Sequence, residues 1–369
     1  MDVQCCLKHH GRNQGSPMKL LYISRRRAEE LPMLESLSKE GKIDLVQIDI
    51  TSGKRLQKIK NIFIVFRLAV MHKPNVILSE GAGFCALISL LACILGKSQL
   101  LFRVKGDPYQ QLLVDKSHER LSHKINRYLN FLAFKISLKY CTMVLPISNI
   151  IKNTLQNTMS FEKPMHVIYI PTREISCEGK NLEQPVPEEN FVITVSNFQF
   201  LKKVGPLLRA IPPVSQVLQS LGIVWYILGD GEYLKDIKKV INDAEAHNTV
   251  KLTGRVNPVG YYQKAQAHLY FSGMDATPNA LLESFCFRVP VVVNNDFPAK
   301  DIAIEDFNVV SMKSYNDADV ATCIHTILHD TAVRQQLTDN SQKFLSEQFS
   351  VESISKKLWT TLSQLKTHD

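Results

Sequence analysis

The chain has 369 residues, of which 45% are hydrophobic, and it carries a formal net charge of +9. This length predicts two domains of ordinary size, and this composition is that of a globular protein with a sizeable core. The longest apolar run, residues 84–95, would extend about 18 Å as a helix against the roughly 30 Å of a bilayer core, which argues against a membrane-spanning protein.

The charge is unevenly distributed along the chain. Residues 1–170 contain 25 Lys and Arg against 12 Asp and Glu, whereas residues 171–369 contain 19 against 23. A basic first half suggests an anionic partner: nucleic acid, an acidic membrane surface or a phosphorylated acceptor. The alternative is a solvated basic face without a partner. We do not expect nucleic acid, because no recognition motif or aromatic–basic ladder accompanies the charge.

The N-terminus and the cysteines give no sign of secretion or of a metal site. Residues 1–17 are polar, contain no apolar signal-peptide region and predict a disordered tail. The eight cysteines are scattered, with no CxxC pair and no paired spacing with His. Cys5 and Cys6 lie near His9 and His10, but we interpret them as part of the tail. We therefore expect no metal, no cofactor and a cytoplasmic protein.

Strands and helices alternate along residues 18–171. Short apolar runs predict strands at residues 18–24, 43–48, 75–78, 100–104, 143–148 and 166–171. The intervening segments include a helical pattern at 28–38, a basic stretch at 51–73, an apolar helix at 84–95, a basic amphipathic helical region at about 109–140 and a helix at 149–158. This order predicts a domain of parallel βαβ units.

A linker and a second domain follow. Residues 172–190 are polar and contain proline, which marks a linker. Strands are then predicted at 191–196, 224–228, 250–254, 268–271 and 289–293, with helices between them. The predicted fold class is α/β, with two Rossmann-like, doubly wound domains (18–171 and 191–350) facing a central cleft. Residues 351–369 predict an amphipathic helix that can cross back to the first domain.

Four loops of the second domain follow strands, and open α/β sheets bind ligands outside the carboxyl ends of their strands. These loops are residues 197–203, 229–231, 254–256 and 273–283. Each feature alone has a simpler explanation, since a Gly-Asp-Gly turn, a lysine pair and a helical glutamate are all common on surfaces. Their joint order at the strand ends is typical of a site for a phosphorylated ligand.

The last of these loops places two acids around a helix start. Asp275 precedes the turn ATPN, and Glu283 lies one to two turns inside the following helix. Unpaired N–H groups and the helix dipole favour negative charge at a helix N-terminus. Lys202 and Lys203 can neutralise a diphosphate, and carboxylates accept hydrogen bonds from vicinal hydroxyls. The stretch therefore predicts a nucleotide-sugar site.

Four segments resemble the retaining nucleotide-sugar glycosyltransferases of family 4, which have the two-domain GT-B fold. They are VSNFQFLKKVGPLLRAI, YILGDGEYLKDI, VKLTGRV and DATPNALLESFCFRVPVVV. The last resembles the acid-x7-acid signature of the family, with Asp275 and Glu283 as its two acids. The resemblance covers most of residues 191–310, and the first half adds only KPNVILSEGAG, FRVKGD and VLPISNIIKNTL.

The resemblance implies a role for each of four catalytic candidates. Glu283 would bind the nucleotide ribose, Asp275 would contact the donor sugar, and Lys202 would stabilise the leaving diphosphate. Asp107 would lie near the reacting centre, with a turn or helix-capping role as the alternative. It also implies a metal-independent reaction that retains the anomeric configuration. The implied donor-binding residues are Asn197, Lys203, Gly229, Gly231, Arg255, Val256, Pro278, Asn279, Ala280, Leu281 and Leu282.

The chain departs from the family pattern at four places. Asn197 stands where the family often has Arg, and Asp275 stands where it usually has Glu. Arg288 replaces a glycine, and residues 25–27, all arginine, replace a glycine-rich loop. The first two departures bear on catalytic strength or donor identity, and the last suggests an unusual, anionic acceptor side.

The leading hypothesis is transfer of a hexose or N-acetylhexosamine from a nucleotide-sugar donor to a glycan or lipid-linked glycan acceptor, as in polysaccharide biosynthesis for the cell envelope. A second hypothesis is peripheral docking on the inner face of an anionic membrane through Lys54, Arg55, Lys58 and Lys60 with nearby phenylalanines, Phe63 and Phe66. The alternatives are a nucleotide-sugar epimerase of the same fold and a non-catalytic nucleotide-sugar or glycan-binding protein.

Overall fold

The computed structural model describes residues 16–24, 30–51, 54–80, 84–106, 121–171, 186–275 and 278–365. The chain divides into two compact units, Met1–Pro171 together with Phe349–Asp369, and Thr172–Gln348. Each unit has its own parallel β-sheet covered by helices. Because apolar runs fill most of these strands, the sheets are buried on both faces, as parallel sheets require.

Five parallel strands form the sheet of the first unit, in the order β2-β1-β3-β4-β5. They are β1 (Met18–Ser24), β2 (Ile43–Asp49), β3 (Val76–Glu80), β4 (Gln99–Val104) and β5 (Met143–Pro146). The predicted strand at 166–171 is an extended segment instead. This segment lies beside β5. The N–H of His166 donates to the Val144 carbonyl (3.2 Å), and the N–H of Ile168 donates to the Pro146 carbonyl (3.0 Å).

Helices cover both faces of this sheet. They are α1 (Leu31–Lys39), α2 (Arg55–His72), α3 (Phe84–Gly96), α4 (Leu121–Tyr140) and α5 (Asn149–Met159). The connection through α1 runs toward one edge of the sheet, from β1 to β2, whereas those through α2, α3 and α4 run toward the other. Because such crossovers are right-handed, α2, α3 and α4 share the face opposite α1. They lie side by side, with α3 in contact with both α2 and α4.

A buried polar network lies toward the carboxyl ends of the three inner strands, β1, β3 and β4. The Arg103 guanidinium in β4 lies 3.1 Å from Glu30, and Lys105 lies 2.6 Å from the same carboxylate and also pairs with Glu80. The Tyr22 hydroxyl lies within hydrogen-bond distance of carboxylate oxygens of both Glu30 and Glu80. Burial raises the pKa of Glu30, but Arg103 and Lys105 outweigh it and the pKa falls. Burial, reinforced by the charge of Glu30, raises the pKa of Glu80.

Six parallel strands form the sheet of the second unit, in the order β11-β10-β9-β6-β7-β8. They are β6 (Phe191–Val195), β7 (Val224–Leu228), β8 (Val250–Gly254), β9 (His268–Tyr270), β10 (Val291–Asn294) and β11 (Val310–Met312). The helices are α6 (Leu201–Ser220), α7 (Leu234–Asp243), α8 (Val259–Lys264), α9 (Asn279–Cys286), α10 (Asp317–His329) and α11 (Thr331–Phe349). Strand β11 and helices α10 and α11 were not predicted.

The C-terminal helix, α12 (Val351–Ser363), belongs to the first unit. It packs against α1, and the Ser355 hydroxyl donates to the carbonyl of Met33 at 3.1 Å. Its N-cap is Ser350, which accepts a hydrogen bond from the N–H of Ser353. In the described ranges, no helix is both long and apolar enough to cross a membrane.

Candidate functional site

The loops that follow β6, β7 and β8 are bonded to one another at the carboxyl edge of the second sheet. The N–H of Phe198 donates to the carbonyl of Asp230 (3.1 Å), and the N–H of Tyr233 donates to the carbonyl of Phe198 (3.0 Å). The N–H of Gly229 donates to the carbonyl of Gly254 (2.9 Å). Three of the four predicted loops therefore form one hydrogen-bonded edge.

Gly229 and Gly231 make this close packing feasible. Both have positive φ angles, +152° and +155°, which disfavour any residue with a side chain. A Cβ at Gly229 would collide with the Ser196 carbonyl oxygen, and one at Gly231 would collide with the Phe198 backbone. The structure therefore gives these two predicted donor-binding glycines a packing role within the loop edge.

Asp275, just beyond β9, is held by three side chains. Its Oδ1 lies 2.8 Å from the ammonium of Lys203, and its Oδ2 accepts hydrogen bonds from the hydroxyls of Tyr270 (2.7 Å) and Ser272 (2.6 Å). Burial, and then the charge of Asp275, raise the pKa of Tyr270 well above its ordinary value, so this hydroxyl keeps its proton and donates. The carboxylate is therefore fixed in position.

The two predicted lysines at the start of α6 have different surroundings. Lys203 is mostly buried in its ion pair with Asp275, whereas the side chain of Lys202 is exposed. The main chain of Lys202 packs against Gly273, where a Cβ would collide with the Lys202 carbonyl oxygen. The acid loop thus rests directly on the first turn of α6, and Lys202 is the member of the pair that solvent reaches.

The start of α9 differs in part from the predicted anion cradle. The N–H groups of Leu281 and Leu282 donate to the carbonyl of Pro278 at 3.0 and 3.1 Å, and both leucine side chains are buried. These two N–H groups are therefore already bonded within the first turn of the helix, and the placement of both leucines in the donor site stays a prediction. Within the described part of the chain, the N–H groups of Asn279 and Ala280 have no acceptor, as expected for a first helical turn.

Glu283 lies in α9, half-buried, one turn after the helix start. Burial raises the pKa of its carboxyl group, and the nearby hydroxyl of Tyr262 partly offsets that rise. Tyr262 itself lies in α8 and donates to the carbonyl of Ala280 at 3.0 Å. Tyr262 therefore ties α8 to the helix that carries Glu283, a link that the sequence alone did not suggest.

A buried histidine, His268, connects β6 and β9 to α9. The N–H of Val195 donates to its Nε2 at 3.2 Å, so Nδ1 carries the proton and donates to the Ser284 hydroxyl. Ser284 in turn donates to the carbonyl of Ala280 at 2.9 Å. Burial lowers the pKa of His268 to about 3, so the ring is neutral. Sequence reasoning missed this residue, although a histidine inside an apolar strand is a signal.

Asn294, at the end of β10, supports the acid loop from the other side. Its Oδ1 accepts from the N–H of Ser272 (2.8 Å), and its Nδ2 donates to the carbonyl of Ser272 (3.2 Å) and to Asp296 (2.7 Å). Because Ser272 also binds Asp275, Asn294 stabilises the carboxylate indirectly. Sequence reasoning missed it, and its place at the end of an apolar strand is the available signal.

The remaining predicted residues lie around this edge or outside it. Asn197 and Arg255 are exposed, and Val256 packs against an apolar cluster that includes Phe191 and Tyr262. Asp107 falls outside the described residues. Among those that are described, no group of three His, Cys, Asp or Glu is placed to hold a metal ion.

Arg288, which stands where the family has glycine, adopts a left-handed conformation with φ = +57°. Its guanidinium pairs with Asp339 of α11 on the surface. Left-handed backbone costs an L-residue about 1–2 kcal/mol. The backbone at position 288 therefore still has the conformation that favours glycine, although the residue there is arginine.

Comparison with known proteins agrees with this geometry. Residues 180–344 match the family model for glycosyl transferases, group 1. The chain is 25% identical over 169 residues to the poly(glycerol-phosphate) alpha-glucosyltransferase of Bacillus subtilis, covering 45% of this chain and 24% of that protein. It is 26% identical over 182 residues to the capsular polysaccharide biosynthesis glycosyltransferase CapH of Staphylococcus aureus, covering 49% of this chain and 50% of CapH.

A solved structure extends the similarity to both units. The crystal structure of Anabaena Alr3699/HepE in complex with UDP and glucose covers 94% of this chain and 100% of that chain, with a TM-score of 0.61 and 15% identity. The present chain spans about a quarter to a half of the length of the two curated relatives above. The predicted fold class is confirmed: the chain has two parallel-sheet α/β units of the GT-B type, and its second unit is similar to group 1 glycosyltransferases.

Proposed function

We propose that this protein is a retaining glycosyltransferase of the family 4 type, which moves a sugar from a nucleotide-sugar donor to a glycan or lipid-linked glycan. The observation that carries the proposal is the acid loop. Asp275 is immobilised by Lys203, Tyr270 and Ser272, and Glu283 follows eight residues later in a helix that begins beside it. The family match of residues 180–344 supports it.

The bonds of Asp275 leave room for one more donor. A carboxylate offers about four acceptor positions, and three are occupied by Lys203, Tyr270 and Ser272. We assign the remaining position to a hydroxyl of the donor sugar. Fixing both oxygens in advance removes the entropy cost of orienting the acid when the sugar binds.

Groups at the N-termini of α6 and α9 are suited to stabilise negative charge on the leaving group. When the bond between the anomeric carbon and the phosphate oxygen breaks, negative charge develops on the nucleoside diphosphate. Exposed Lys202 and the N–H groups of Asn279 and Ala280 are suited to stabilise it. The acceptor hydroxyl forms the new bond to the anomeric carbon on the same face, and its proton passes to the departing phosphate oxygen.

Glu283 is assigned to the nucleotide ribose, whose two hydroxyls can both donate to one carboxylate. UDP-sugars are the first donors to test, because the similar Anabaena structure is described in complex with UDP and glucose.

A lipid-linked acceptor would place the reaction at the cytoplasmic face of a membrane, and peripheral attachment of the protein there is part of this proposal.

A transfer assay separates the proposal from its alternatives. The protein is incubated with UDP- and GDP-sugars, with and without glycan and lipid-linked acceptors, and the products are identified by mass spectrometry. A transferase consumes donor and forms a glycoside only when acceptor is present. An epimerase converts the donor sugar without any acceptor, and a binding protein forms no product.

Two variants test the assigned residues. Glu283→Ala and Lys202→Ala should each lower kcat/KM for transfer by about 100-fold or more, the loss typical of removing one group that stabilises a transition state. Lys238→Ala, an exposed lysine of α7, is the matched control and should retain wild-type activity. Wild-type turnover by both site variants would refute the assignment.

A further inference from the structure

The outward surface of helices α2, α3 and α4 is unusually apolar. Among the described residues, seventeen large apolar side chains are strongly exposed, and fifteen of them belong to these three helices. Phe63, Ile94 and Tyr128, one from each helix, are 70%, 66% and 60% exposed. Scattered exposed apolar residues are ordinary on a soluble protein, but a contiguous concentration marks an interaction surface.

Each helix presents these residues as a stripe. On α2 they include Leu56, Ile59, Phe63 and Val70, which recur at helical spacing along one side. On α3 they are Phe84, Leu91, Ile94 and Leu95, and on α4 they are Ile125, Tyr128, Leu129, Leu132, Ile136 and Tyr140. The opposite side of each helix already packs on the sheet, through residues such as Val65, Ala86 and Phe134. Each helix therefore has a second apolar side that the described residues of its unit leave exposed.

The three helices also carry charge of one sign. They contain eight Lys and Arg and no Asp or Glu. An ordinary exposed helix mixes both signs, as α11 does with Arg334 and Lys343 against Asp339 and Glu347. On α2 and α4, the exposed cations include Lys58, Lys60, Lys135 and Lys139.

We propose that α2, α3 and α4 form a docking surface for an anionic lipid bilayer, hereafter the three-helix surface. Apolar side chains flanked by Lys and Arg match a membrane interface, where the apolar groups enter about 5–10 Å and the cations meet acidic headgroups. A second copy of the chain is a poorer occupant, because a self-complementary contact would bring two wholly basic surfaces together.

The structure changes the docking segment expected from the sequence. That expectation rested on residues 54–60 with Phe63 and Phe66. Phe63 is exposed, but Phe66 is half-buried, and the larger part of the apolar surface comes from α3 and α4. The three helices together make a broad surface parallel to the sheet. Docking through it depends on the first unit alone and does not rest on the donor assignment in the second.

Vesicle co-sedimentation of the full chain tests the electrostatic part. The vesicles contain phosphatidylcholine with or without phosphatidylglycerol. The basic variant is Lys58→Glu, Lys60→Glu, Lys135→Glu and Lys139→Glu. The control makes the same charge change on exposed lysines of the second unit: Lys235→Glu, Lys238→Glu, Lys239→Glu and Lys251→Glu. Wild type and control should bind the phosphatidylglycerol vesicles alike, and the basic variant should bind on the order of 100-fold more weakly.

A second variant tests the apolar part. Phe63→Gln, Ile94→Gln and Leu129→Gln replace exposed side chains, one per helix, with a good helix former. The folded state should be preserved, as checked by circular dichroism and by a Tm close to that of the wild type. Binding to phosphatidylglycerol vesicles should weaken by roughly 100-fold, because the buried apolar area is lost, and the loss should persist at high salt.

Three results would overturn the proposal. The first is wild-type protein that does not sediment with either kind of vesicle. The second is equal vesicle binding by the basic variant and its control. The third is a wild-type dimer in light scattering that the apolar variant dissociates while neither binds vesicles, which would assign the surface to a second copy. Nucleotide binding is measured separately, so failure here leaves the donor site standing.

Discussion

The ammonium group of Lys203 lies 2.8 Å from Oδ1 of Asp275, and both side chains are nearly buried, at 13% and 12% exposure. This pair joins the first turn of α6 to the loop after β9. The two adjacent lysines therefore have different roles. Lys203 holds Asp275 in position, whereas Lys202 remains accessible to a ligand.

A double-mutant cycle measures this pair. Lys203→Ala and Asp275→Ala should each destabilise the fold by about 1–3 kcal/mol, because each leaves a partly buried charge without its partner. The double variant should be less destabilised than the sum of the two, with a coupling of about 0.5–3 kcal/mol in urea unfolding. Lys202→Ala, the neighbouring control, should leave the free energy of unfolding unchanged. Strict additivity would show that the pair contributes nothing to stability.

His268 should make stability depend on pH. Its pKa is about 3 in the folded protein and 6.5 when unperturbed, so between these values the unfolded chain binds the extra proton. The free energy of unfolding therefore falls as pH falls through this range, by up to about 1.4 kcal/mol per pH unit. His268→Asn lacks this titration while its amide can still donate toward Ser284.

The wild type should therefore be more stable than His268→Asn near neutral pH, and this advantage should shrink by about 2 kcal/mol on moving 1.5 units below the unperturbed pKa. Urea unfolding at a series of pH values provides the measurement. Parallel pH profiles for the two proteins would contradict a buried, neutral His268.

Gly273 should not tolerate even a methyl group. Its φ is not in the left-handed region, so the effect of Gly273→Ala comes from the collision with the Lys202 carbonyl oxygen. We expect a loss of about 1–3 kcal/mol, as for overpacking, together with weaker transfer. Gly205→Ala is the matched control, because a Cβ there would meet only the Arg209 side chain at 3.8 Å. The gain of a helical methyl is offset by the following Pro206, so we expect a change in stability below about 0.5 kcal/mol. Equal stability of the two variants would refute the close contact.

Arg288→Gly should relieve the left-handed strain at φ = +57°. The gain is about 1 kcal/mol, and loss of the exposed pair with Asp339 removes only a few tenths of it. Thermal unfolding should therefore show an unchanged or higher Tm. A clear drop in Tm would mean that the Arg288–Asp339 contact is worth more than a surface pair.

Much of the fold was predictable, because parallel strands are buried on both faces and read as continuous apolar runs. The acid stretch was also visible, since local spacing alone places Asp275 and Glu283 around a helix start. The sequence did not indicate which of the two lysines, Lys202 or Lys203, would pair with Asp275. Adjacent helical residues point about 100° apart, and burial of Val204 and Leu207 on α6 sets which one faces the loop.

The supporting residues were hidden for a different reason. His268 and Asn294 act through partners such as Ser284 and Ser272 that are distant in sequence. A buried polar residue in a strand indicates that some partner exists, but only the strand order identifies it. Only the α2 part of the three-helix surface could be predicted from the sequence. Which apolar side chains of α3 are exposed depends on which side of the helix packs against the sheet.

The most direct test of the central claim is the thermal shift of the protein with UDP, GDP and their common sugars. A ligand that binds only the folded state raises its stability by about 2.7 kcal/mol at 100 times Kd. We predict that one nucleotide and its sugar conjugates raise the Tm of the wild type, and that Glu283→Ala abolishes the rise. No shift with any of them at millimolar concentration, or an equal shift in Glu283→Ala, would contradict the donor site.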